Sequence, residues 1–104
     1  MSDRANPLRG EASFTIGGQD FVLRPSFENL VAAEEELGSL FALVERASTG
    51  AITLAEITAL VWHCLPTHER PARETVGAAV LSTGLVQSTV PIRAILAQVL
   101  QGDL

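Results

Sequence analysis

The sequence contains no lysine, a single cysteine, a single tryptophan and no long apolar run. Each shortage narrows what the chain can be. Its seven basic residues are all arginine, and twelve acidic residues outweigh them to give a net charge of −5. An acidic field repels a phosphate backbone, so nucleic acid is not an expected partner. One thiol, Cys64, cannot close an internal disulfide, which fits synthesis in the cytosol. Apolar runs such as Ala59–Trp62 and Ala78–Leu81 fall far short of the roughly 20 residues a membrane span needs. No membrane span is expected. The opening Met1–Pro7 lacks an apolar core, so no secretory signal is expected either.

What is present suits one small domain. The chain has 104 residues, 47% of them hydrophobic, enough for a modest core. Residues 1–10 read as a flexible arm broken by Pro7 and Gly10, and residues 11–104 as a single domain. Glu11–Ile16 and Gln19–Arg24 alternate polar and apolar residues on either side of Gly17-Gly18. That pattern predicts a β-hairpin with a turn that needs positive φ. A two-residue loop pairs Phe14 with Phe21 and Ala12 with Leu23. It puts Ala12, Phe14, Ile16, Phe21 and Leu23 on one face, which must pack on helices; a four-residue loop keeps the same facing, so the face is better fixed than the register.

Helical signals fill the remainder. Ser26 predicts a cap for a helix over Phe27–Leu37, stopped by Gly38, with Phe27, Leu30, Val31 and Leu37 inward. Ser39 can cap Leu40–Ala47, with Leu40, Phe41, Leu43 and Val44 inward. Thr53-Leu54-Ala55-Glu56 is a capping-box pattern and opens a third helix to about Cys64. Its core positions are Leu54, Ile57, Leu60, Val61 and Cys64. Pro71 suits the first turn of a fourth helix, Ala72–Thr83, whose inner face is Val76, Ala79, Val80 and Thr83. Ser88 can cap a fifth, Thr89–Gln101, with Pro91 in its first turn. The expected fold is α+β: an N-terminal β-hairpin packed on a compact bundle of four to five short α-helices.

Few residues invite a functional reading. His63, Cys64 and His68 are the one cluster with metal-ligand chemistry, but neighbouring helical residues point about 100° apart and the spacing suits no structural zinc pattern. No metal and no cofactor are expected. Cys64 reads as a small core residue. Glu34 shares a helical face with Phe27, Leu30 and Val31. It is either paired with an arginine such as Arg24 or Arg46, or a contact point for a partner. The run Glu34-Glu35-Glu36 otherwise reads as a solvated helix side. Trp62 lies off the centre of its apolar stripe, as a half-buried core residue or a binding hot spot. Phe41, Val86, Val90 and Leu104 are apolar positions left over once the stripes are filled. They suggest an apolar groove near the fifth helix with an acidic rim. Glu34, Trp62, Val90 and Leu104 are thus the candidate partner-binding residues. No triad-like arrangement of nucleophile and base can be placed, so no catalytic residue is assigned and an enzyme is not expected.

The order of these elements carries a family resemblance. Phe21-Val22-Leu23-Arg24-Pro25-Ser26-Phe27-Glu28, then Leu30…Glu34…Leu37-Gly38 and Leu43-Val44-Glu45-Arg46, resemble the small tail proteins of alphaproteobacterial gene transfer agents and related prophages. Val61-Trp62-His63-Cys64-Leu65 and Val76-Gly77…Thr83-Gly84-Leu85 extend the resemblance over roughly residues 11–102. It implies a tail-tube or tail-assembly-chaperone role and a binding activity directed at other tail proteins, the tape-measure protein foremost. It also implies a place in the cytoplasm of the producing bacterium or in a phage-like particle. A structural tail-tube subunit is the alternative within that biology. A helix-turn-helix DNA-binding regulator is the alternative outside it, weakened by the few basic residues on the third and fourth helices.

Overall fold

The computed structural model describes residues 12–102. The N-terminal arm, Glu11 of the expected first strand, and Leu104 lie outside the described residues. Strands β1 (Ala12–Ile16) and β2 (Gln19–Leu23) form an antiparallel pair with Ala12 opposite Leu23 and Phe14 opposite Phe21. Gly17 and Gly18 both take positive φ, 60° and 81°, as the two-residue turn requires. Phe14, Ile16, Phe21 and Leu23 are buried on the shared face. Val22, on the opposite face, is buried as well. The chain leaving the third helix crosses there: the Arg24 N–H donates to the Cys64 carbonyl at 2.8 Å, and Val22 shares a hollow with Pro66 and His68.

Five helices follow: α1 (Phe27–Leu37), α2 (Leu40–Thr49), α3 (Leu54–Cys64), α4 (Arg73–Thr83) and α5 (Leu85–Gln101). A short 3-10 turn, Thr67–Glu69, lies between α3 and α4. Ser26 and Ser39 cap α1 and α2 by accepting from Asn29 and Ala42 N–H groups. Thr53 and Glu56 form the reciprocal capping box of α3. Glu56 also pairs with Arg46, tying the start of α3 to α2. The third helix is the centre of the molecule. Ile57, Leu60, Val61 and Cys64 are sealed between α1, α4 and α5, together with Leu65 just beyond the helix end.

Several helical expectations need correction. The inward face of α1 is Ala33, with Leu30 and Leu37 beside it, whereas Phe27 is 85% exposed and Val31 points outward. Small Ala33 sits at the contact of α1 with α3, flanked by Leu30 and Leu37, and that orientation leaves Phe27 and Val31 on the outer side. On α2 the buried residues are Leu40, Leu43 and Ala47; Phe41 is exposed, and the helix runs on to Thr49 before Gly50 ends it. The first helical residue of α4 is Arg73 rather than Ala72, which puts Pro71 outside the helix; Thr83 at its far end is exposed, as Leu54 is at the start of α3. The fifth helix starts at Leu85, directly after Gly84, which ends α4 and begins α5. Ser88 is therefore no cap. It is buried inside the helix, where its hydroxyl donates to the Val80 carbonyl at 3.3 Å. Pro91 accordingly falls in the second turn. Its missing N–H frees the Gln87 carbonyl, four residues back, from helical bonding.

Candidate functional site

The largest polar constellation joins the ends of three helices. Glu36 near the end of α1 accepts two hydrogen bonds from Arg73 at the start of α4, at 2.5 and 2.6 Å. This bidentate fork matches the planar guanidinium to the carboxylate. His63, in the last turn of α3, brings Nε2 within 2.8 Å of Glu36 Oε1. Trp62 stands next to it, its ring edge-on to His63 and its Nε1 donating to the Pro71 carbonyl at 2.9 Å. The guanidinium carbons of Arg70 and Arg73 lie 4.3 and 4.4 Å from the Trp62 ring centroid, within cation–π range. Arg70 also donates to the carbonyls of His63 and Leu65, closing the C-terminal end of α3 where the helix dipole favours a cation. Its Nε is buried with no acceptor among the described residues, a cost these other bonds offset.

The chemistry of this cluster is cohesive. Each charged group has its partner inside the cluster, and Trp62 is clamped by two arginines and a carbonyl. Cys64, one residue on, is fully buried, and burial pushes its thiol up to about 12, well away from a thiolate at neutral pH. Among the described residues no three His, Cys, Asp or Glu side chains converge as metal ligands. His63 is turned to Glu36 instead.

Glu36 gives the cluster a pH signature. Hydrogen bonds from Arg73 first, then from His63, hold its carboxyl at about 2, down from 4.5. A lowered folded-state value stabilises the fold above the unfolded value, and the contribution disappears as pH falls through the folded one. The window therefore runs from about 4.5 down to about 2. Urea unfolding between pH 5 and pH 2.5 is expected to show falling stability, with Glu36→Gln flattening part of that fall. Glu56, also held low, accounts for another part. The Glu36 side chain is 38% exposed, so solvent screening keeps the effect modest. A Glu36→Gln profile parallel to the native one would contradict the pairing.

The three candidate binding residues among the described ones, Glu34, Trp62 and Val90, do not converge. Glu34 is exposed, and its carboxylate accepts from the Leu40 N–H at 3.2 Å, so it helps start α2. Arg46, one suggested partner, belongs to Glu56. Trp62 is half-buried in the cluster. Val90 is 55% exposed on α5, and Leu104 is outside the described residues. A shallow groove of about 170 Å³ runs beside the start of α5, lined by Ala47, Ile52, Ile57, Leu85 and Val86 among others. The charged residue in its lining is Arg93, which donates to the Ala47 carbonyl; among the described residues no acidic one lines it. The run Glu34-Glu35-Glu36 is exposed as expected, but Glu36 is also paired with Arg73 and His63. Arg70 and Arg73, three residues apart around Pro71, were the one available hint of a clamp on Trp62.

Among the described residues no single helix is long and apolar enough to cross a membrane. The helices α4 and α5 reach that length only together, and they bend by 111° at their junction. No curated protein and no solved structure matched the chain. A family model did: residues 9–102 match the family described as phage tail tube protein, GTA-gp10. With nearly its whole length matched, the chain belongs to this family of phage-type tail proteins.

Proposed function

We propose that the chain is a non-enzymatic tail-assembly chaperone, a protein-binding factor that holds another tail component while the tube grows. The tape-measure protein is the first candidate client. Binding takes place in the cytoplasm of the producing bacterium. The observation that carries this reading is the strand content. The described residues hold two strands of five residues each, in one isolated hairpin. A tube-wall subunit has to contribute enough strand to close a continuous β-lined ring, and this hairpin spends one face on its own core. The helical remainder, with several exposed large apolar side chains, suits transient protein binding better.

A structural tube subunit is the second reading, favoured by the family's description. The DNA-binding reading has little support, since Arg70 and Arg73 are committed to Glu36, Trp62 and backbone carbonyls rather than to solvent. Co-expression with the tape-measure protein of the same particle cluster tests the proposal. A complex that copurifies at low salt and leaves the tape-measure protein more soluble is the expected result. No association with it, in cells that assemble normal tails, would contradict a chaperone for that client.

A further inference from the structure

The outer face of α1 is an apolar pair inside an acidic frame. Phe27 is 85% exposed and Val31 36%, one helical turn apart. On the helical wheel they lie about 40° from each other and opposite Ala33, the buried residue of α1. Glu28 and Glu35 border the pair on one side and Glu34 on the other, all exposed. The helix carries four glutamates and no basic residue. One of the four, Glu36, is consumed by Arg73 and His63 on the far side.

An exposed aromatic next to an exposed valine forms a continuous apolar patch rimmed by charge, the pattern that marks a partner site. From this juxtaposition we infer that α1 docks an amphipathic helix of a partner protein, one whose apolar seam is flanked by lysine or arginine. The inference rests on the protein-binding reading above and gives it a place on the molecule. Charge decides the occupant. A second copy would set the same three glutamates, Glu28, Glu34 and Glu35, against each other, and anionic lipid or nucleic acid would be repelled. A basic-flanked helix meets Phe27 and Val31 with its seam, and Glu28, Glu34 and Glu35 with its two cationic edges, as flanking charges do in paired helices.

Two synthetic peptides of about 21 residues test this. Both carry leucine at a and d positions; one has lysine at e and g, the other glutamate. Each is titrated with the full chain and followed by fluorescence anisotropy. The lysine peptide is expected to bind and the glutamate peptide not. Raising salt from about 20 to about 500 mM should weaken binding about tenfold or more. Phe27→Ser and Val31→Ser should each weaken it about fivefold or more; the Phe27→Ser unfolding midpoint should stay unchanged because that ring faces water, and the Val31→Ser midpoint should fall only slightly. Glu28→Gln with Glu35→Gln should flatten the salt dependence. Phe41→Ser, at an exposed aromatic on α2, should change nothing. Absence of binding, equal binding of both peptides, insensitivity to Phe27→Ser and Val31→Ser, or loss on Phe41→Ser would each overturn the proposal. The same variants co-expressed with the tape-measure protein separate the two readings. Capture by all variants alike removes the α1 surface and keeps the chaperone. Lysine-peptide binding through α1, without capture of the tape-measure protein, keeps the surface and removes that client.

Discussion

Phe14→Ala is expected to destabilise the protein by about 3–5 kcal/mol, measured by urea unfolding at neutral pH. Phe14 is only 4% exposed and stands opposite Phe21 on the hairpin face that covers the helices. Removing the ring forfeits its transfer free energy and leaves a cavity, because β1 is held by its pairing with β2 and cannot collapse far. A domain this size has a total stability of about 5–15 kcal/mol, so this loss is a large fraction of it. Ser13→Ala, at an exposed neighbour in the same strand, should shift stability by less than about 0.5 kcal/mol. A loss below about 1 kcal/mol for Phe14→Ala would mean that the hairpin does not close the core.

Trp62→Ala is expected to cost about 2–4 kcal/mol, by circular dichroism because it removes the only tryptophan. The ring is half-buried, yet it supports the stacked guanidinium groups of Arg70 and Arg73 and the bond to the Pro71 carbonyl. Its loss leaves that carbonyl without its donor and loosens the junction between α3 and α4. Trp62→Phe keeps a ring face for the arginines but not the N–H, and should cost about half as much. A near-neutral Trp62→Ala that impairs partner binding would instead mark Trp62 as a binding hot spot.

The parts of the fold legible in the sequence are those set by local chemistry. The facing of the hairpin follows from alternation around Gly17-Gly18, while its register, which two- and four-residue loops leave open, is settled by the observed pairing. The starts of α1, α2 and α3 follow from Ser26, Ser39 and the Thr53/Glu56 box, whose hydrogen bonds span three residues. Facing was harder to read. Phe27 and Val31 dominate the apolar periodicity of α1, but the face that packs carries small Ala33, flanked by Leu30 and Leu37. The start of α5 was hidden by Ser88 and Pro91, which imitate a cap and a first turn. Gly84 opens the helix without any side-chain cap, so it left no such mark. The Glu36 cluster was illegible for a different reason. Glu36 meets His63 and Arg73 across 27 and 37 residues, and only the packing of α1 on α3 and α4 on α3 brings them together.

Family membership assigns the chain to phage-type tails, and the proposed chaperone role makes a quantitative demand on the particle itself. The most direct measurement is quantitative mass spectrometry of purified, mature particles, with copy number referred to the major tube subunit. The chaperone account predicts that this chain is absent, or present at a few percent or less of the tube subunit, while abundant in producing cells. A copy number equal to that of the tube subunit would contradict it and make the chain a structural part of the tail.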